Sequence, residues 1–114
     1  MNHFFKITSK RTLAEGSYTY VVDINANHRV FAGHFPGNPI VPGVMSMMMV
    51  RMLAEDALKR VTRYATVKDC KYLQTIIPNG TPLTVNITID GTNLSGEILS
   101  SEGVALMKIK SILE

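Results

Sequence analysis

Between Gly33 and Val44 the chain reads Gly-His-Phe-Pro-Gly-Asn-Pro-Ile-Val-Pro-Gly-Val. One imidazole, His34, stands in a stretch stiffened by Pro36, Pro39 and Pro42, each of which fixes φ and lacks an N–H. Gly33, Gly37 and Gly43 permit backbone geometries and close approaches that a side chain would block. Histidine titrates near neutrality and suits general-base work. Gly43 opens the most apolar segment of the chain, and the first N–H groups of a helix have no intrahelical partner. Such groups favour an oxygen that is gaining negative charge. An imidazole beside such an amide suits proton abstraction from the carbon next to a thioester carbonyl. The same residues also fit a plainer role, a histidine hydrogen-bonded to backbone in a tight loop.

The elements around this stretch must hold it still. Phe4 to Thr12 alternates loosely and Tyr18 to Ile24 is rich in aromatic and β-branched residues, so both read as strands joined at Ala14-Glu15-Gly16-Ser17. Asn25 to Pro42 is a long connection for a compact domain, which itself favours a functional role. A helix is expected from Gly43 to about Arg60, with Pro42 as its start signal. It is apolar on nearly every face as far as Ala54, which predicts a buried helix. Lys59 and Arg60 are expected in its last turn, where cations complement the dipole. Met45, Met47, Met48, Met49 and Met52 line it, either as adaptable core filling or as the wall of an acyl-chain tunnel. Strands are expected over Tyr64–Ile77, Leu83–Ile89, Leu94–Ser100 and Val104–Leu113. Pro78-Asn79-Gly80 and Asp90-Gly91 supply the turn signals.

Composition narrows the function. With 114 residues the chain reads as a single domain, and 12 basic against 9 acidic residues leave a net charge of +3. That excess is too mild to indicate nucleic acid. Six of the cations fall between Arg51 and Lys71, forming a solvated face or a docking patch for an acidic partner. One cysteine, Cys70, excludes an intrachain disulfide, and with three scattered histidines no metal cluster can be drawn. No apolar run approaches the ~20 residues of a membrane helix, and the first residues lack a signal-peptide core. The expectation is a cytoplasmic protein with no cofactor, no nucleic-acid partner and no membrane partner.

At Gly33 to Val44 the sequence resembles the 3-hydroxyacyl-acyl-carrier-protein dehydratases of fatty acid synthesis. Asn27 to Phe31 fits that family's approach to its histidine. Lys71-Tyr72-Leu73-Gln74-Thr75-Ile76-Ile77-Pro78-Asn79-Gly80 resembles, more loosely, the strand and Pro-Gly turn after its helix. The resemblance implies an α+β hot-dog fold over residues 1–114, a curved antiparallel sheet wrapped around one central buried helix. It implies a dimer at minimum, as a homodimer, a higher oligomer or a heterodimer with a paralogue. It also implies a partner, an acyl carrier protein bearing a thioester-linked acyl chain, and a place in fatty acid, specialised lipid or polyene biosynthesis.

Carried over residue by residue, His34 would remove the C2 proton of a 3-hydroxyacyl thioester, and the Gly43 amide would polarise the carbonyl. Phe35, Val44 and Met48 would join Gly43 in binding substrate. The family also places a carboxylate on the helix five residues after the motif's last glycine, where it helps the 3-hydroxyl leave as water. Here that position is Met48, and the Gln often found one turn later is Met52. A positioned acid or base contributes ~10²–10⁴-fold, and a thioether does neither job. Glu55 lies roughly 10 Å further along the axis at 1.5 Å per residue, which is far for a substitute. The alternatives to an active dehydratase are therefore a weak or inactive carrier-binding subunit, completed by a paralogue that supplies the carboxylate, and a hot-dog thioesterase.

Overall fold

The computed structural model describes residues 4–32 and 37–114. The order of elements is β1 (Phe5–Ala14), β2 (Ser17–Ile24), a short 3-10 turn (Arg29–Phe31), α1 (Gly43–Leu58), β3 (Tyr64–Tyr72), β4 (Leu83–Asp90), β5 (Asn93–Leu99) and β6 (Ala105–Leu113). The six strands form one sheet in the order β1-β2-β4-β5-β6-β3, every pairing antiparallel. α1 lies on its inner face. This is the α+β hot-dog architecture.

Strand alternation decides which side chains meet the helix, because successive residues point to opposite faces. Leu83, Val85 and Ile87 of β4 are buried while Thr84, Asn86 and Thr88 are not. Cross-strand register extends that pattern into rows. Tyr20, Val85, Ile98, Met107 and Tyr72 stand side by side across five strands, and the first four are fully buried. The row one step along carries Gly96 between Ile87 and Ile109. A Cβ on Gly96 would come within 2.8 Å of Val50 Cγ1, so this glycine is the notch that lets α1 approach β5.

Three details differ from the sequence expectations. α1 is not buried all round. Met45, Ser46, Met49, Val50, Leu53 and Ala54 are buried, but Val44 is 69% exposed and Met47, Met48 and Met52 are only half-buried. A single sheet covers one side of a helix and leaves the other open. The strand expected to reach Ile77 ends at Tyr72, because the N–H groups of Leu73 and Gln74 both turn to the Leu106 carbonyl, at 2.8 and 3.2 Å, and interrupt the ladder. The helix ends at Leu58. Lys59 is its cap in the left-handed region (φ 58°), with its N–H donating to Glu55 O at 2.8 Å. Lys59 and Arg60 therefore stand beyond the last turn.

The edges are β1 and β3, and both carry register irregularities, a common device for blunting an edge. β1 also presents Lys6, Lys10 and Arg11. Lys10 joins a polar tie that fastens this strand to the helix. The Tyr20 hydroxyl donates to Asp56 Oδ2 at 2.7 Å, and Lys10 Nζ stands 3.2 Å from the same oxygen. The hydrogen bond from Tyr20 holds the Asp56 carboxyl below the usual aspartate value, with Lys10 adding to the effect against opposing desolvation, and burial pushes the Tyr20 phenol up. A carboxyl whose folded pKa is lowered stabilises fully above its unfolded value, about 3.9, and loses that contribution as pH falls through the lower folded value. Asp56→Asn should therefore lower Tm at neutral pH and should approach the wild type once pH has fallen through the lowered carboxyl value. Thermal unfolding followed across pH checks this, and a constant gap between the two curves would exclude the ion as the cause.

Candidate functional site at the start of the central helix

The loop that carries the motif is anchored at both ends. On the entry side the His28 N–H donates to Asn25 O, and the Phe31 N–H to His28 O, both at 3.1 Å. His28 Nδ1 accepts from the Val30 N–H at 3.0 Å, so that nitrogen is the unprotonated one and His28 serves the turn. Phe31 is buried against Phe4, with ring centroids 6.0 Å apart. On the exit side Val41 is buried, and its N–H donates to Ile76 O at 2.8 Å. His34 and Phe35 lie between these anchors and outside the described residues.

At Pro42 the backbone is extended (φ −60°, ψ 143°), and from Gly43 it is helical. The Pro42 carbonyl accepts from the Met45 and Ser46 N–H groups, at 3.0 and 3.3 Å. Among the described residues no hydrogen bond engages the Gly43 or Val44 N–H, as the first turn of a helix dictates. The buried Ser46 hydroxyl donates to the Gly43 carbonyl at 2.8 Å and ties the turn from inside.

Gly43 is glycine for room rather than for conformation, since its φ is not positive. A Cβ there would come within 2.6 Å of Tyr72 Cζ and 2.8 Å of its hydroxyl oxygen. The phenol of Tyr72 therefore occupies the space that a side chain at the helix start would need. Tyr72 reaches it because it ends the inward-facing row of the sheet, directly opposite Met107. It remains 54% exposed. Burial of its ring and the Cys70 thiol beside it push its pKa up to about 12, so the hydroxyl keeps its proton at neutral pH. A cleft of about 450 Å³ opens here, lined by Ile40, Val41, Gly43, Ser46, Tyr72 and Leu106 among others.

The remaining residues named from the sequence separate. Val44 faces outward and Met48 is half-buried one turn further along the helix. Neither lines that cleft. Glu55 is committed elsewhere. Its Oε2 accepts from Arg51 Nη1 at 2.9 Å and from the Thr62 N–H at 2.7 Å, and Arg51 Nη1 also donates to the Thr62 carbonyl at 2.9 Å. This cluster closes the helix onto the connection to β3, so Glu55 has no part in the site at Gly43. Lys59, Arg60, Arg63, Lys68 and Lys71 are exposed, whereas Arg51 is held in the Glu55 cluster.

Residues 9–107 match the ApeI-like family, described as ApeI dehydratase. The chain belongs to that family. A 3-hydroxyacyl-acyl-carrier-protein dehydratase FabZ of Oenococcus oeni is 32% identical over 91 residues, covering 74% of this chain and 60% of the relative. The chain spans about three fifths of the length of the curated relatives it matches. Among solved structures, the dehydratase heterocomplex ApeI:P from Xenorhabdus doucetiae superposes with a TM-score of 0.83 at 20% identity, over 95% of this chain and 96% of that one. An (R)-hydratase from A. caviae does so with a TM-score of 0.67 at 12% identity, over 96% of each. Likeness at this identity concerns the fold. Among the described residues no helix of this ApeI-like protein is long and apolar enough to cross a membrane.

Tyr72 falls in the second stretch that carries the resemblance, but the sequence assigned it no place beside the motif. Its type and its place inside the expected strand Tyr64–Ile77 gave no sign that it would stand on Gly43, 29 positions earlier in the chain. The contact carries a measurable consequence. Gly43→Ala should push the phenol aside, and because the atoms it meets are the far end of a half-exposed side chain the loss of stability should stay below the ~1–3 kcal/mol of an overpacked core. Adding Tyr72→Ala should recover part of that loss. Denaturant unfolding of the two single variants and the double variant measures it, and strictly additive losses would show that the two residues do not share this space.

Proposed function

We propose that this ApeI-like protein acts in the dehydration of 3-hydroxyacyl thioesters carried on an acyl carrier protein, and that it works as one half of a shared site. The observation that carries the reading is the run from Gly33 to Val44 in a member of a dehydratase family, followed by Met48 where the resemblance places a carboxylate. In this reading His34 takes the C2 proton. The C2–H electron pair forms the C2=C3 double bond, and the C3–O bond breaks. The leaving oxygen needs a proton to depart as water. His34 and the Gly43 amide leave that last task unfilled, and Met48 carries no transferable proton.

A second hot-dog chain with a carboxylate on its helix would fill it. Two features support such a partner. The open face of α1 presents Val44, Met47, Met48 and Met52, an apolar stripe that one sheet leaves uncovered. The β3 edge lies alongside, since the Tyr64 hydroxyl donates to Met47 O at 2.6 Å. The relative from X. doucetiae was solved as a dehydratase heterocomplex, which is the kind of assembly this division of labour requires. A pair of identical copies would bring two Met48 side chains and no carboxylate at that position. The second reading, a carrier-binding subunit without activity of its own, rests on the same Met48.

Two outcomes are expected. The purified chain should dehydrate a 3-hydroxyacyl carrier-protein substrate weakly or not at all, and Met48→Glu should raise the rate, by up to ~10²–10⁴-fold if the new carboxyl is well placed. Met48 is only half-buried, so the helix can accept the polar group. Rapid turnover by the wild type, unchanged in Met48→Glu, would overturn the missing-acid reading. Carrier proteins are acidic, so replacing the exposed Arg60 and Arg63 together by Glu should weaken carrier-protein binding, most at low salt. Equal affinity of both forms in a low-salt titration would remove these residues from the docking surface.

A further inference from the structure

We propose that Tyr72 supplies a hydroxyl donor to the acyl carbonyl oxygen, beside the Gly43 amide, so that the carbonyl is held by one side-chain and one backbone donor. This rests on the reading above, in which the thioester carbonyl binds at the start of α1. Three observations carry it.

The first is steric. The helix start gives up a Cβ at Gly43 although its backbone conformation does not require glycine, and the vacated space holds the Tyr72 ring edge and hydroxyl. The hydroxyl thereby lies against the same turn whose first amides meet no acceptor among the described residues. The second is positional. Tyr72 ends the inner-face row that begins at the fully buried Tyr20. The buried row sets where the ring emerges, and a donor placed in advance costs little reorganisation when charge develops. The third is access. Tyr72 is 54% exposed and lines the cleft at Gly43 together with Ile40, Val41 and Leu106. A ligand entering that cleft meets the phenol on an otherwise mostly apolar wall. The hydroxyl acts as a hydrogen-bond donor and retains its proton throughout, in keeping with a phenol pushed up to about 12. It does not replace the carboxylate absent at Met48, which would serve the other oxygen, the one that leaves.

The test uses the full chain and an unreactive probe, the butyryl thioester of pantetheine carrying a ¹³C carbonyl. It is followed by isotope-edited infrared difference spectra together with a binding titration. Tyr72→Phe keeps the ring on Gly43 and deletes only the hydroxyl, and its unfolding midpoint should stay close to that of the wild type. The wild type should lower the carbonyl stretch on binding. Tyr72→Phe should show a smaller lowering and roughly three- to tenfold weaker affinity, the worth of one hydrogen bond. Binding by both forms with the same carbonyl stretch would overturn the role of Tyr72 and leave the carbonyl site standing. A probe that binds neither form at millimolar concentration would overturn the carbonyl site itself, and this inference with it. Loss of fold in Tyr72→Phe would also count against it, because a purely structural phenol would be the simpler account.

Discussion

One side of α1 is laid on the inner face of a six-stranded sheet, and the rest of the molecule follows from that contact. The helix is too apolar to be left in water, so its buried side chains must find a sheet face of matching period. Val50 settles against β5 only because Gly96 has no side chain. The burial of Met49, Val50, Leu53 and Ala54 against the row from Tyr20 to Met107 fixes the axis of the helix. Fixing the axis also fixes where its first turn emerges, beside Tyr72. Hydrophobic burial is non-directional. The directional part of the fit comes from glycines that admit close approach and from hydroxyls that tie the edges to the helix.

Those ties are distributed along α1. At its start the Ser46 hydroxyl holds the Gly43 carbonyl. Near its middle Tyr64 reaches from the β3 edge to the Met47 carbonyl. Toward its end Tyr20, Asp56 and Lys10 join the helix to β1 and β2, while Arg51, Glu55 and Thr62 join it to the following connection. The β3 edge is thus fastened to the helix by Tyr64, and the β1 edge by Lys10 through Asp56, which Tyr20 of β2 also holds. The face that the sheet covers least carries Val44, Met48 and Met52. A fold that leaves an apolar stripe beside a free β edge invites association through that side, and the position where the family resemblance places a carboxylate falls on that stripe.

Much of this was legible in residue types. Strict alternation at Leu83–Ile89 located β4 because one face of that strand is buried and the other is not. The Asp-Gly pair at Asp90-Gly91 located the β4–β5 turn. Pro42 marked the start of α1 because a proline cannot donate into the preceding turn. The far end of the helix was misplaced by two residues, since Lys59 adopts the left-handed cap that glycine usually takes. The end of β3 was misplaced because nothing in Leu73 to Ile77 breaks the strand pattern. Its termination depends on the Leu106 carbonyl capturing two successive amides from a strand more than thirty residues away.

The sequence by itself determined the motif at Gly33–Val44, the family, the hot-dog architecture and Met48 where the resemblance places a carboxylate, because each is a matter of residue type at fixed spacing along one segment. The tertiary structure decided which residues share the helix start. It brought Tyr72 onto Gly43, assigned Glu55 to Arg51 and Thr62, and opened one face of α1. These are consequences of packing and cross-strand register, which join positions far apart in the chain, and local periodicity carries no record of them.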